Sequence, residues 1–403
     1  MRIVPARDGG LVRLRLFGGE LSADAARAVA QAALRCGSGT IEVTNRANLQ
    51  LRGMRDEAHE ALIAQVLDAD LGPSAEGGDD LRNVMLSPLA SDDTRALGAQ
   101  LIDAMQGDAA LHALSPKFAL QLDAGEPLAM LDHPHDVWLS ALDRDAVHFA
   151  FGFAGALRGA ALGAIARADA VRFVMSVLRA FLALASDDEH RMRDLLARVD
   201  AARFLETLDV PAMQAVPQTW RRPHADASLR LGAHLEANGI TYHVGAQTRL
   251  GRLDTASLAA LADLVTTHAQ RRMLTTPWQS VLIPGVGKQH VHAVLARLEA
   301  LGLATDAHAP FARIVACAGS QGCARSRADT KADAHRLALL LPPDAEVHLS
   351  GCERSCAAAH PVDTTLLAVA PGRYQLIRQA RTQARNLTIE EAAMWLARST
   401  AHA

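Results

Sequence analysis

Over Leu11-Val-Arg-Leu-Arg-Leu16 apolar and charged positions alternate, the period of a half-buried strand. Leu21-Ser22 then opens an Ala-rich stretch to about Arg35 that predicts a helix with Ser22 as its N-cap. Thr40-Ile-Glu-Val-Thr44 and Leu49-Gln-Leu51 read as short strands, and Asp56 to about Leu67 as an amphipathic helix. Gly72 to Asp80 is rich in turn residues and marks a first boundary. The same order returns further on. Ile240, Tyr242 and Val244 alternate, Leu253 to about His268 is helical, Arg272 to Thr276 is a strand, and Gly287 to Leu301 is helical. Between the two units, Phe149 to Ala185 reads as helices and Ser186 to His190 as a charged turn.

A fixed offset of 232 residues places Gly19 on Gly251, Leu21 on Leu253, Thr44 on Thr276 and Gly53 on Gly285 without a gap. Chance matching of Ala-rich helices is the competing reading, but the aligned Thr and Gly flank equivalent loops, so internal duplication is preferred. The segments that follow also correspond loosely. Asn83-Val-Met-Leu falls where Ile314-Val-Ala-Cys317 falls, and Leu114-Ser-Pro-Lys117 where Leu349-Ser-Gly-Cys352 falls. The plan is therefore A-B-A′-B′.

Composition narrows the class. At 403 residues the chain exceeds one ordinary core. With 50% apolar and 21% charged residues it is a globular protein. Its formal charge of −3 gives no general attraction to nucleic acid or anionic lipid, and 9 Phe, 4 Trp and 2 Tyr make base-stacking platforms improbable. The most apolar stretch, Ala150 to Ala185, is broken by Arg158, Arg167, Asp169, Arg172 and Arg179, so no membrane span is expected. The N-terminus shows no signal-peptide core, and a cytoplasmic location is expected. Only three lysines occur: Lys117, Lys288 and Lys331.

Five cysteines are an odd number for a disulfide framework. Four lie within 40 residues: Cys317 and Cys323 with five residues between them, Cys352 and Cys356 with three. Structural zinc favours pairs separated by two to four residues, whereas an iron–sulfur cube spreads its ligands over a wider body. Gly319, Gly322 and Gly351 suit backbone that bends closely around a cluster, and small neighbours leave it room. Iron–sulfur is the preferred reading, with zinc or unrelated thiols the alternatives. Cys36 reads as a small buried residue. Asp132-His133-Pro-His135-Asp136 and His290-Val-His292 read as a polar turn and a solvated helix start. No G-x-G-x-x-G or G-x4-G-K-[S/T] sequence is present, so nicotinamide and flavin sites are not indicated.

Cys317-x5-Cys323…Cys352-x3-Cys356 resembles the cluster motif of the sulfite and nitrite reductase family. Thr44-Asn-Arg46-Ala-Asn48-Leu-Gln-Leu-Arg52-Gly53 is similar to the family's first half-domain signature, and Thr276-Pro-Trp278-Gln279 to its second. Arg82-Asn83-Val84 and Pro116-Lys117-Phe118 resemble two further segments. The resemblance implies an α+β fold: duplicated ferredoxin-like half domains with pseudo-twofold symmetry, each followed by a reductase-like α/β domain. The expected domains are 1–76, 77–223 (without cluster cysteines), 224–304 and 305–403 (with the cluster). It also implies that Cys317, Cys323, Cys352 and Cys356 hold a 4Fe-4S cluster, bridged through Cys356 to a sirohaem or a mononuclear iron. Arg46, Arg82 and Lys117 would be catalytic cations, and Arg46, Asn48, Arg52, Arg82, Asn83, Lys117 and Arg249 would bind substrate. Trp278 and Gln279 could equally be core packing.

Two departures shift the expected activity. The second Lys of the family's Lys-Phe-Lys is Ala119, and the Gln after the first half-domain Arg is Ala47. Losing a cation disfavours reduction of a small anion. The length and the sparser basic site are similar to the precorrin-3B synthase branch of the family. That branch implies an O2-dependent monooxygenase that hydroxylates precorrin-3A and forms a γ-lactone in aerobic cobalamin biosynthesis. A ferredoxin or a flavoprotein reductase using NAD(P)H would supply the electrons. A sirohaem-dependent sulfite or nitrite reductase and a non-catalytic iron–sulfur electron carrier are the alternatives.

Overall fold

The computed structural model describes residues 2–143, 145–210, 213–360 and 362–400. The outer bounds of the first and last expected domains, residues 1 and 403, lie outside these. Contacts divide the chain into two compact units, Arg15–Gly19 with Gly72–Ala227, and Arg2–Leu14 with Glu20–Leu71 and Ser228–Ala403. Among the described residues no helix is long and apolar enough to cross a membrane.

The larger unit contains the duplication, and it is closer than the sequence matches alone reveal. Helix Ala23–Cys36 is capped by Ser22, whose hydroxyl accepts from the Ala25 N–H; 232 residues on, helix Thr255–His268 is capped by Asp254, which accepts from Ser257 N–H. Strands Thr40–Val43 and Arg272–Thr275 repeat at the same offset, as do helices His59–Asp68 and Val291–Ala300. Even the left-handed residues repeat: Ala47 and Gln279, and Gly53 and Gly285.

Each half builds a five-stranded antiparallel sheet and lends it one strand from the other half. The first runs Ile3–Ala6, Gly9–Leu14, Leu49–Met54, Thr40–Val43 and then Arg252–Asp254, with Leu253 opposite Ile41. The second runs Gly232–Leu235, Thr241–Gln247, Ser280–Gly287, Arg272–Thr275 and then Glu20–Ser22, with Leu21 opposite Met273. The exchange ties the halves together, and helices Ala23–Cys36 and Thr255–His268 pack on one another. Each carries a row of small or apolar buried residues, from Val29 to Cys36 and from Leu258 to Val265.

Two further sheets share one topology. In the smaller unit the order is Val84–Met85, Leu120–Asp123, His135–Ala141, His148–Gly155, Gly163–Ala166, the first three parallel and the last two antiparallel. In the larger unit Ile314–Ala316, Val347–Ser350, Thr364–Ala370, Arg373–Arg378 and Arg381–Leu387 repeat that order and those directions.

Two expectations are corrected here. Phe149 to Ala185 is not all helix: His148–Gly155 and Gly163–Ala166 are strands, and only Ala170–Leu184 is a long helix. Phe149, Phe151 and Phe153 face the main core of this unit, while Ala150 packs with Trp138 in a second cluster. Burial on both faces erases the polar alternation that betrays a strand. Second, Leu114–Lys117 precedes strand Leu120–Asp123, so strand order matches Leu349–Cys352 to the segment starting at Leu122.

Candidate active site

The sheet Ile314–Leu387 places its cysteines beyond the carboxyl ends of its parallel strands, where open α/β sheets leave a crevice. Cys317 follows strand Ile314–Ala316 directly, and Cys352 lies two residues past strand Val347–Ser350. Cys323 ends the short helix Gly319–Gly322, and Cys356 lies in the next loop at the exposed rim. Partial desolvation and then the neighbouring Cys352, Cys317 and Cys323 push the Cys356 thiol up from its ordinary value. Among the described residues no three His, Cys, Asp or Glu side chains are grouped so as to hold a metal ion.

The surroundings fit a cluster bound through thiolates. Cys317 Sγ accepts a hydrogen bond from the Gly351 N–H at 3.2 Å, the kind of bond that stabilises charge on a ligating sulfur. Gly351 has to be glycine, since a Cβ there would lie 1.8 Å from Ser326 Oγ. Thr330 Oγ1 donates to the Cys317 carbonyl (2.9 Å) and lies 3.4 Å from its sulfur. Metal ligation would relieve the crowding around Cys356 by drawing charge off the thiolates.

Three of the cysteines, Cys317, Cys323 and Cys356, line a cavity of about 780 Å³. Arg7, Arg13, Arg325 and Arg354 also line it and are exposed. Asn45 and Gln279, from the equivalent loops of the two half domains, reach the last cysteine loop. Asn45 Nδ2 donates to the Cys356 carbonyl at 3.1 Å, and Gln279 Nε2 to the Ala357 carbonyl at 3.4 Å. Sequence reasoning missed Asn45, although it lies inside the quoted half-domain signature, and left Gln279 undecided. Trp278 is half-buried, and its carbonyl accepts from Gln247 Nε2 at 3.0 Å.

The expected substrate residues divide. Arg46 and Asn48 lie on the loop after strand Thr40–Val43, both half-buried, and Thr44 Oγ1 closes that loop by accepting from both their N–H groups (3.3 and 3.1 Å). In the smaller unit Asn83 Nδ2 donates to the Phe118 carbonyl (2.8 Å), tying the residue after Arg82 to the residue after Lys117, which is exposed. Burial pushes Arg82 down, partly offset by Asp79 at 3.9 Å. Asn83 thus braces the turn that carries Lys117.

Arg52 and Arg249 have partners of their own. Arg52 lines the cysteine cavity, but it is 3% exposed and its guanidinium is bonded to Asp8, Glu42 and the Gly322 carbonyl. Arg249 lines a different cavity, of about 380 Å³, and stacks over Phe311 at 5.1 Å. The polar stretch Asp132–Asp136 bends at 132–133 and enters strand His135–Ala141, and its histidines face away from solvent. Both are buried, and His135 Nδ1 lies 2.9 Å from the His133 carbonyl. His290 is half-buried and stacks with His268 at 4.9 Å. Cys36 is buried, as expected.

Fold and site together define a class, a duplicated iron–sulfur reductase scaffold, and sequence comparison agrees. The profile of the nitrite/sulfite reductase ferredoxin-like half domain matches residues 4–69 and 234–301, and that of the nitrite and sulphite reductase 4Fe-4S domain matches 77–216. The chain belongs to the nitrite/sulfite reductase family, a family of oxidoreductases. The second match covers the copy without cysteines. Among its relatives, precorrin-3B synthase of Sinorhizobium sp is 27% identical over 383 residues, 92% of this chain and 79% of that protein. Ferredoxin–nitrite reductase of Synechococcus elongatus is 27% identical over 391 residues, 89% of this chain and 76% of that protein. The solved Mycobacterium tuberculosis NirA protein superposes with a TM-score of 0.76 at 20% identity, covering 98% of this chain and 80% of that one, which establishes the shared fold.

Proposed function

We propose that the chain is an iron–sulfur monooxygenase of the precorrin-3B synthase type, acting on precorrin-3A in aerobic cobalamin biosynthesis. The observation that carries this reading is the cavity of about 780 Å³ in which three cysteines meet four exposed arginines. A macrocycle bearing acetate and propionate arms needs both room and guanidinium partners for its carboxylates. In this reading the thiolates of Cys317, Cys323, Cys352 and Cys356 hold a 4Fe-4S cluster, which when bound supplies electrons one at a time. Arg46, Arg82 and Lys117 add positive charge for the substrate's anionic groups. Asn45 and Gln279 hold the Cys356 loop against the half domains. One atom of O2 enters the product and the other leaves as water, with two electrons drawn from an external ferredoxin or flavoprotein reductase and two protons taken up from solvent. Such chemistry belongs in the cytoplasm.

Ala119 supports this choice over anion reduction. It is fully buried, and its N–H donates to Asp136 at 2.8 Å, so the position of the family's second lysine is closed core. The comparable identity to a nitrite reductase keeps a sirohaem-dependent sulfite or nitrite reductase as the second reading. Anaerobically purified protein given precorrin-3A, reduced ferredoxin and ¹⁸O2 is expected to yield a product carrying one ¹⁸O. Turnover of nitrite or sulfite with no oxygenated product, together with a sirohaem spectrum, would replace this reading with the second.

A further inference from the structure

The first half domain sends a buried ionic tie to the cysteine loop, and the second half domain has no counterpart at the equivalent positions. Arg52 donates from Nε and Nη2 to Asp8 (2.8 and 2.9 Å), from Nη1 to Glu42 (3.3 Å), and from Nη2 to the Gly322 carbonyl at 2.6 Å. Gly322 immediately precedes Cys323. The approach is so close that a Cβ on Gly322 would lie 2.4 Å from Arg52 Nη2. Glu42 also accepts from Arg252 Nε at 3.0 Å. Although burial works against its ionisation, Lys331, Arg52 and Arg252 hold the Glu42 carboxyl below its ordinary value. Lys331, itself buried, donates to the Ala316 carbonyl at 2.8 Å, just ahead of Cys317.

The duplication supplies an internal control. At the offset of 232, Asp8, Glu42 and Arg52 fall on Ile240, Leu274 and Pro284. The second half domain forms its sheet without the tie, with apolar residues in those places. What distinguishes the first copy is the cysteine loop on which Arg52 ends.

We propose that Arg52, oriented by Asp8 and Glu42, is a positioning residue for the cluster: it seats the Gly322-Cys323 turn and places a positive charge beside the site. This role rests on the cluster reading above. A nearby cation stabilises the reduced, more negative state of a cluster, and a nearby carboxylate does the reverse. R52Q should therefore shift the cluster's reduction potential to more negative values, and D8N to more positive ones. R52K keeps the charge but not the three-way span, so its potential should stay near that of the parent.

The test is an EPR-monitored redox titration of the purified holoprotein and of R52Q, R52K and D8N, with iron and sulfide analysis of each. Alkylation of Cys323 by iodoacetamide in the cluster-free protein gives a second readout. It should be faster in R52Q and R52K than in the parent, with Cys352 unchanged. Opposite potential shifts in R52Q and D8N, with faster Cys323 labelling, support the role. If R52Q assembles no cluster, D8N and the labelling decide. Unchanged potential in D8N with unchanged labelling in R52Q would overturn it. Should the parent hold no iron and sulfide, the cluster reading fails by itself, and the labelling alone then judges the tie.

Discussion

The sheets at 84–166 and 314–387 have the same strand order and directions, yet the carboxyl ends of their parallel strands are finished in opposite ways. In the second sheet, strand Val347–Ser350 runs out into Gly351 and Cys352, and the Gly351 N–H is aimed at Cys317 sulfur. In the first, the matching strand Leu120–Asp123 ends on a carboxylate that is sealed. Asp123 accepts from Arg222 Nε and Nη2 (both 2.9 Å) and from Ser140 Oγ (2.6 Å), with the Arg222 and Asp123 side chains 2% and 1% exposed. Arg222 also caps the Glu126 carbonyl at 2.6 Å. One copy leaves the end of its strands open to thiols, and the other closes it with an ion pair. The fold supplies the crevice; a few residues at strand ends decide whether it holds a group or is filled.

Substitution should break this contrast in a graded way. The largest effect belongs to the cysteines. Cys352→Ser should abolish cluster binding, read as loss of iron and sulfide, whereas Cys36→Ser should retain both. Next, Arg222→Met leaves Asp123 charged and buried without its partner, and loss of about 3–5 kcal/mol is expected for such a break. A fall in thermal midpoint with the iron content preserved would place the damage in the cysteine-free copy. Glu126 gives a pH signature. Burial, and then Asp123, raise its carboxyl to about 7 from 4.5. The folded state therefore keeps a proton that the unfolded state gives up. Stability should fall as pH rises between about 4.5 and 7 and level off above, and Glu126→Gln should flatten that stretch of a pH series of chemical denaturations.

The smallest effect compares the first long helix after the opening strand of each sheet. Ser91 caps Asp92–Gln106 by accepting from the Thr94 N–H, and Asp329 caps Thr330–Ala338 by accepting from the Ala332 N–H. Either change to Ala should cost about 1 kcal/mol. Asp329→Ala should also reduce iron retention, because Thr330 is bonded to Cys317, while Ser91→Ala should not.

The duplication and the cysteine group were legible because both are local: a gapless offset, and thiols at fixed spacing. Even the helix caps could be read at Ser22. Strand His148–Gly155 was hidden because Phe149, Phe151 and Phe153 on one face and small buried residues on the other leave no polar alternation. Arg52 carried a family motif and so read as a substrate residue; only the fold brings Asp8 and Gly322 to it from far along the chain, beside Glu42 on the neighbouring strand. Arg249 likewise has a neighbour, Phe311, that no local pattern announces.

The central claim is that the open strand ends of the second sheet hold a cluster on four thiolates. Iron and acid-labile sulfide analysis of anaerobically purified protein, with EPR of the reduced sample, tests it most directly. The account predicts four iron and four sulfide per chain and an EPR signal that is lost in Cys352→Ser. One zinc per chain with no sulfide, or a full cluster in Cys352→Ser, would contradict it.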